Sequence, residues 1–219
     1  MAALFYRLSP RLVLCFRGLP YQPGPQERLL RLACRGAFNP THPTTRLCLD
    51  LLREALATSP VRSLLDLGCG TGILGLAAAA LGVPRVVAAD LAGDAARLTQ
   101  ENARANGLAA SILAVQGSSE CLQKPFDLVA ANLHIDVQLA KVAELHRLAA
   151  PGGRLLLSGF RDNQEEFLRT RYRQRGWRLA RRLVHEFSHP ELPREMSFTW
   201  AAWLLAWGEE ANPSTGQQS

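Results

Sequence analysis

Asp66, Gly68, Gly70, Gly72, Asp90 and Asn132 are the residues whose types and spacing could carry chemistry in this 219-residue chain. Asp66-Leu67-Gly68-Cys69-Gly70-Thr71-Gly72 follows an apolar run and precedes an Ala-rich one. Three alternating glycines there permit a tight strand-to-helix turn and let a ligand approach the backbone closely. Gly70 to Gly75 also satisfies the pattern G-x-G-x-x-G, with Asp90 ending the next apolar run. Two cofactor classes therefore compete, a dinucleotide and S-adenosyl-L-methionine. Asp66 separates them. A carboxylate about 6 Å from a pyrophosphate, at an effective dielectric of about 20, costs roughly 3 kcal/mol per charge pair. Adenosylmethionine has no phosphate; its sulfonium and ammonium are attracted by the same carboxylate. Asp90 can accept bonds from both ribose hydroxyls under either reading. Asn132 ends a further apolar run and falls at the sheet edge where ligands of such folds bind. Adenosylmethionine is the expected cofactor.

Methyl transfer from an activated sulfonium asks the protein mainly to position the nucleophile and exclude water. Asn132 can orient an amine through its carbonyl. Adenine and glutamine methyltransferases place Pro-Pro-aromatic after this Asn, whereas Leu133 and His134 stand here. That favours a flexible amine over a planar nitrogen. His134 and Asp136 are the candidates for accepting a proton or binding substrate; alternatively, Asp136 caps the following helix and His134 is solvated. His42 is expected to shape the cofactor pocket, with a base role as the alternative.

Repeated strand–helix units must position these residues. Strands are expected at Ser63 to Leu67, Arg85 to Ala89, Ser111 to Val115, Phe126 to Ala131 and Arg154 to Ser158. Helices are expected at Gly72 to Leu81, Ala92 to Ala105, Ile135 to Leu148 and Gln164 to Gln174. Trp177 to Phe187 and Met196 to Trp207 read as a closing antiparallel pair. The fold class is α/β: a Rossmann-like, doubly wound, mostly parallel seven-stranded sheet with a C-terminal antiparallel hairpin. The expected organisation is an N-terminal extension over 1–35, the catalytic domain over 36–208 and a polar tail over 209–219.

Composition narrows the class. With 47% apolar and 20% charged residues the chain is globular rather than disordered. No apolar run reaches eighteen residues, so no membrane span or membrane partner is expected. Five scattered cysteines without a Cys-x-x-Cys pair fit a reducing, cytoplasmic setting. The first acidic residue is Glu27, so the stretch before it has the Arg-rich, acid-poor make-up of a transit peptide. Four prolines interrupt any long helix there, and a short extended segment, Arg11 to Phe16, is the expectation instead.

His185-Glu186-Phe187-Ser188-His189 matches the zinc-protease pattern H-E-x-x-H. That chemistry needs a helix, and Pro190 biases His189 away from helical angles. No metal is expected. The seven arginines between Arg169 and Arg182 form a dense basic run. They read as a solvated face or as a docking patch for RNA or an acidic protein.

The chain resembles class I adenosylmethionine-dependent methyltransferases. More narrowly, it resembles the PrmA family of bacterial enzymes that methylate amino groups of a large-subunit ribosomal protein. The resemblance rests on Ala37-Phe38-Asn39-Pro40-Thr41-His42-Pro43-Thr44-Thr45-Arg46-Leu47-Cys48-Leu49, on the glycine loop from Asp66 to Leu74, and on Ala131-Asn132-Leu133. Pro151-Gly152-Gly153-Arg154-Leu155 and Leu157-Ser158-Gly159 extend it. It implies cofactor contacts from Thr45, Gly68, Asp90 and Asn132; Phe38, Thr41, Asp66 and Gly70 complete the expected cofactor site. Asn39-Pro40 replaces the family's G-T-G, one residue shorter, and the fewer than forty residues before the motif are expected to be too few for the family's N-terminal substrate domain. The function expected is N-methylation of a protein amino group, with a ribosomal protein as the implied substrate. RNA or ribosome contact would run through Arg169–Arg182. The alternatives are a small-molecule or RNA methyltransferase, or a non-catalytic adenosylmethionine-binding module.

Overall fold

The structure, a computed structural model, describes residues 5–16, 20–34, 42–187 and 198–208. Its main sheet has seven strands: β4 (Ser63–Leu67), β5 (Arg85–Asp90), β6 (Ile112–Gln116), β7 (Phe126–Asn132), β8 (Ala149–Arg161), β9 (Trp177–Phe187) and β10 (Phe198–Trp207). Their spatial order is β6-β5-β4-β7-β8-β10-β9. The first five run parallel, and β10 lies antiparallel to both β8 and β9. The Rossmann-like sheet and its antiparallel C-terminal strands are thus as the strand–helix alternation indicated.

Both faces of the sheet are covered, which is why its strands are apolar without alternation. Leu64, Ala88, Leu128, Ala130, Leu156 and Ala202 join one core with α1 (Pro43–Thr58), α2 (Ile73–Ala80) and the end of α3 (Gly93–Ala105). Their neighbours Leu65, Ala89, Val129, Ala131, Leu157 and Ala201 join the other. That second core holds α4 (Ile135–Ala140), α5 (Val142–Leu148) and α6 (Glu165–Arg173).

A separate small sheet precedes α1. β1 (Phe5–Ser9) and β2 (Leu12–Phe16) form an antiparallel pair, and β3 (Arg28–Leu32) runs parallel to β2. Leu8, Leu14, Leu30 and Leu32 are fully or almost fully buried in the same core as α1 and α2. Tyr6 Oη donates to Asp50 Oδ1 at 2.5 Å, fixing β1 to α1.

Only Arg11 to Phe16 of that small sheet is expected from the sequence, so β1 and β3 are departures, and two elements of the main domain depart as well. The helix expected over Ile135 to Leu148 is two helices, with Lys141 at φ −101° and ψ 8° between them. The Lys141 N–H bonds both Val137 O and Gln138 O there, so the first helix closes in a tightened turn. β8 begins at Ala149 rather than Arg154, and Pro151-Gly152-Gly153 forms a bulge within it. Ala149 pairs with Phe126 and Arg154 with Leu128 across that bulge.

Gly159 shows how closely the site end of the sheet is packed. Its φ is 97°, and a Cβ there would lie 2.1 Å from Leu133 O, a backbone atom that cannot step aside. Gly159→Ala is therefore expected to lower stability by about 1–3 kcal/mol from the backbone angle alone. The clash adds to that loss. Denaturant unfolding checks it; a variant as stable as the parent contradicts the packing at Leu133.

Candidate active site

β4 sits where the chain order reverses, with β5 on one side and β7 on the other. Ligands of open α/β sheets bind outside the strand carboxyl ends at such a point. Asp66, Asp90 and Asn132 come from the carboxyl ends of these three strands.

The glycine loop follows Asp66. Gly68, Gly70 and Gly72 have φ of 72°, 55° and 77°, left-handed values that a side chain would strain. Gly68 and Cys69 donate their N–H groups to Ala89 O at 2.8 and 3.1 Å. Gly70 N–H donates to Asp90 Oδ2 at 2.9 Å, and Ala92 N–H to Asp90 Oδ1 at 2.9 Å. Asp90 thus orders the loop while each carboxylate oxygen keeps accepting capacity for a ligand.

Two cavities meet at Gly68 and Gly70. The smaller, about 60 Å³, is lined by Thr45, Asp66, the loop and Asn132. The larger, about 440 Å³, has Asp90 and Ser118 as polar groups, Leu91, Ala92, Ala95, Leu133 and Val137 as apolar walls, and Lys141 at its border. Asp66 is 2% exposed, and its Oδ2 accepts the Gly75 N–H at 2.9 Å. Burial pushes its carboxyl up to about 7, Asp90 adds to that rise, and the Gly75 bond opposes it. A buried carboxyl beside a second carboxylate suits a cationic ligand. Near neutral pH Asp66 is partly protonated until a cation arrives, so attraction of the cation decides more than repulsion of a phosphate.

Thr45, Asp66, Gly68, Gly70 and Asn132 therefore surround the smaller cavity, and Asp90 faces the larger one. Phe38 and Thr41 lie outside the described residues. His42 caps α1: its Nδ1 accepts the Thr44 N–H at 3.3 Å and lies 2.8 Å from Thr44 Oγ1. Burial holds its pKa below the usual value, with repulsion from His185 adding to the effect. That favours the neutral ring a cap requires. His134 and Asp136 line neither cavity. His134 precedes α4, and its Nδ1 lies 3.2 Å from Asp136 Oδ2, with side chains 70% and 83% exposed. His185 and Glu186 lie on β9, a strand rather than the helix that H-E-x-x-H chemistry needs, and His189 is outside the described residues.

Gln138 and Lys141 carried no sequence signal. Gln138, fully buried on α4, donates Nε2 to Leu133 O at 3.1 Å and to Ser158 O, fastening the turn after Asn132. Lys141 forms an ion pair with Glu120, which holds the Glu120 carboxyl down at about 2. Ser118 follows β6 and could have been placed at the cleft from the strand-end rule alone.

The chain as a whole is similar to known proteins. Residues 6–186 match the family model described as ribosomal protein L11 methyltransferase (PrmA). The ribosomal protein L11 methyltransferase of Syntrophotalea carbinolica is 37% identical over 172 residues, covering 78% of this chain and 56% of that protein. Its namesake from Parasynechococcus marenigrum is 42% identical over 173 residues, covering 75% and 59%. The chain thus spans less than 60% of the length of these curated relatives. Among solved structures, ribosomal protein L11 methylase from Lactobacillus delbrueckii subsp. bulgaricus superposes with a TM-score of 0.76 at 23% identity. That match covers 94% of this chain and 100% of the other. N-methyltransferase NodS from Bradyrhizobium japonicum WM9 gives 0.56 at 17% identity, covering 74% and 94%. At these identities both structures speak to the fold.

Proposed function

The chain belongs to the ribosomal protein L11 methyltransferase (PrmA) family, and from that premise we propose that it is an S-adenosyl-L-methionine-dependent methyltransferase acting on a protein amino group. The observation that carries the reading is the pair Asp66 and Asp90 on opposite sides of the glycine loop. One lines the smaller cavity and the other the larger. Asp90 would take the ribose hydroxyls, and Asp66, directly or through water, the cationic end.

When bound, the cofactor supplies an electrophilic methyl whose C–S bond breaks, leaving the electron pair on sulfur, as the amine nitrogen forms its C–N bond. A lysine amine must first lose a proton, at a cost of roughly 4–5 kcal/mol at neutral pH for a pKa of about 10.4. Asn132 at the cavity wall would orient the amine through its carbonyl. His134 and Asp136 at the surface would meet the acceptor before it enters and receive its proton into solvent. Asn132→Ala is expected to lower kcat about tenfold while the affinity for cofactor moves less. Steady-state kinetics at saturating cofactor check this. An unchanged kcat removes Asn132 from the reaction.

A ribosomal protein is the acceptor that the relatives' names suggest. Contact with RNA or the ribosome would use the basic run. Within it Arg181 pairs with Glu54 and Arg182 with Glu165, whereas Arg173 and Arg178 are exposed and, among the described residues, carry no ion pair. The cytoplasm is the proposed location. Incubation with methyl-labelled cofactor and ribosome-containing lysate, followed by mass spectrometry, tests the reading. Label on a lysine or terminal amine of a protein supports it. Label confined to RNA or small molecules, or cofactor binding without any labelled product, overturns it.

A further inference from the structure

Asn102 is a buried polar side chain that the proposed chemistry does not use. It lies on α3 with 1% of its surface exposed. Its Oδ1 accepts the Ala33 N–H at 2.9 Å, and its Nδ2 donates to Ala33 O at 3.0 Å and to Thr71 O at 3.0 Å. Both amide donors are thereby spent, one on the chain just beyond β3 and one on the middle of the glycine loop.

The neighbouring turn of α3 supplies the comparison. Asn106 makes the same pair of bonds to Arg31, accepting its N–H and donating to its O, each at 2.8 Å. Its remaining Nδ2 bond returns to Asn102 O on its own helix. Two amides four residues apart on one helix face thus grip successive outward backbone groups of the small sheet. Only Asn102 also reaches the loop. Thr71 is the peptide that most needs such a hold, because Gly70 and Gly72 on either side have the widest backbone freedom. Thr99 on the same face adds a longer bond, Oγ1 to Gly70 O at 3.3 Å.

We infer that Asn102 is a positioning residue that ties the chain just beyond β3 to the glycine loop, so that cofactor affinity depends on the bonds Asn102 makes to Ala33 and Thr71. The inference rests on the cofactor reading above, but its mechanical part does not. Losing Asn102 frees the Thr71 peptide and detaches Ala33 together. The fraction of molecules with a competent loop falls, and the apparent dissociation constant rises in proportion.

The experiment compares Asn102→Ala with Asn106→Ala in the full chain, by calorimetry with S-adenosylmethionine and by residue-resolved amide exchange without it. Asn102→Ala is expected to weaken binding at least tenfold while kcat at saturating cofactor stays within threefold. Its Gly70 and Gly72 amides should exchange at least tenfold faster. Asn106→Ala should leave affinity and loop exchange within twofold. Equal effects of the two variants, or none from Asn102→Ala, overturn the inference. Should Asn102→Ala fail to fold, the parent protein decides. Coupling is reciprocal, so cofactor binding must slow exchange of the Ala33 amide, and an unchanged rate refutes the link. A parent that binds no adenosylmethionine would refute the cofactor reading alone, since loop exchange in the two variants still judges the tie.

Discussion

Asp90→Ala should weaken S-adenosylmethionine binding by at least a hundredfold in a folded protein. The carboxylate already accepts Gly70 N–H and Ala92 N–H at 2.9 Å, one on each oxygen. A ligand that adds two hydroxyl donors finds both acceptors rigidly placed. Hydrogen bonds to a charged group contribute about 1.5–3 kcal/mol each, so losing two removes roughly 3–6 kcal/mol. That corresponds to about a hundredfold to ten-thousandfold in dissociation constant. The variant also leaves the Gly70 amide without its acceptor, so the loop itself loosens. Asp90→Asn keeps the shape but turns an N–H₂ toward one of the two amides, and it should fall between parent and alanine. Calorimetry measures all three. An alanine variant that folds and binds as tightly as the parent removes Asp90 from the cofactor site.

Binding should also weaken in acid, and Asp66 should be the reason. In the free protein burial pushes its carboxyl up to about 7. A cation in the adjacent cavity favours the ionised form, so binding releases a proton wherever Asp66 is still protonated. Affinity then rises with pH up to about 7 and levels above it. Taking the ionised form as the competent one, affinity at pH 5.5 is roughly 25-fold weaker than at pH 7.5. Folding stability has the opposite slope from this group. The folded carboxyl holds its proton to about 7 and the unfolded one only to about 4, so the folded state binds more protons between them. Stability contributed by Asp66 is greatest below pH 4 and is lost as pH rises toward 7, by up to about 4 kcal/mol. Asp66→Asn should flatten both profiles and bind adenosylmethionine at all pH values about as weakly as the parent does in acid. A parent affinity that does not vary between pH 5.5 and 7.5 contradicts this account of Asp66.

Local patterns made the main sheet readable. Ser63 to Leu67 and Arg85 to Asp90 are short, apolar and ended by glycine or acidic residues, so strand ends and loop fall where the chain says they do. The placement of the candidate site followed from them, because strand order alone brings Asp66, Asp90 and Asn132 to one edge. What escaped is what depends on distant partners. Lys141 has an ordinary helical residue type, yet its φ of −101° and ψ of 8° close α4 there. The Pro-Gly-Gly sequence reads as a stop, yet pairing with β7 resumes on both sides of it. Asn102 and Gln138 read as polar positions on helices. Their grip on Thr71, Ala33, Leu133 and Ser158 appears only when the layers pack. His134 and Asp136 show the converse. Adjacent to Asn132 in sequence, they are carried outward by the start of α4 and meet solvent.

Parallel titrations of the parent protein with S-adenosylmethionine and with a nicotinamide dinucleotide at pH 7.5 probe the paired carboxylates most directly. Saturable binding of the sulfonium compound, with no heat from the dinucleotide, is the predicted outcome. Dinucleotide bound in the glycine-loop cleft, with adenosylmethionine unable to bind or displace it, would contradict the account.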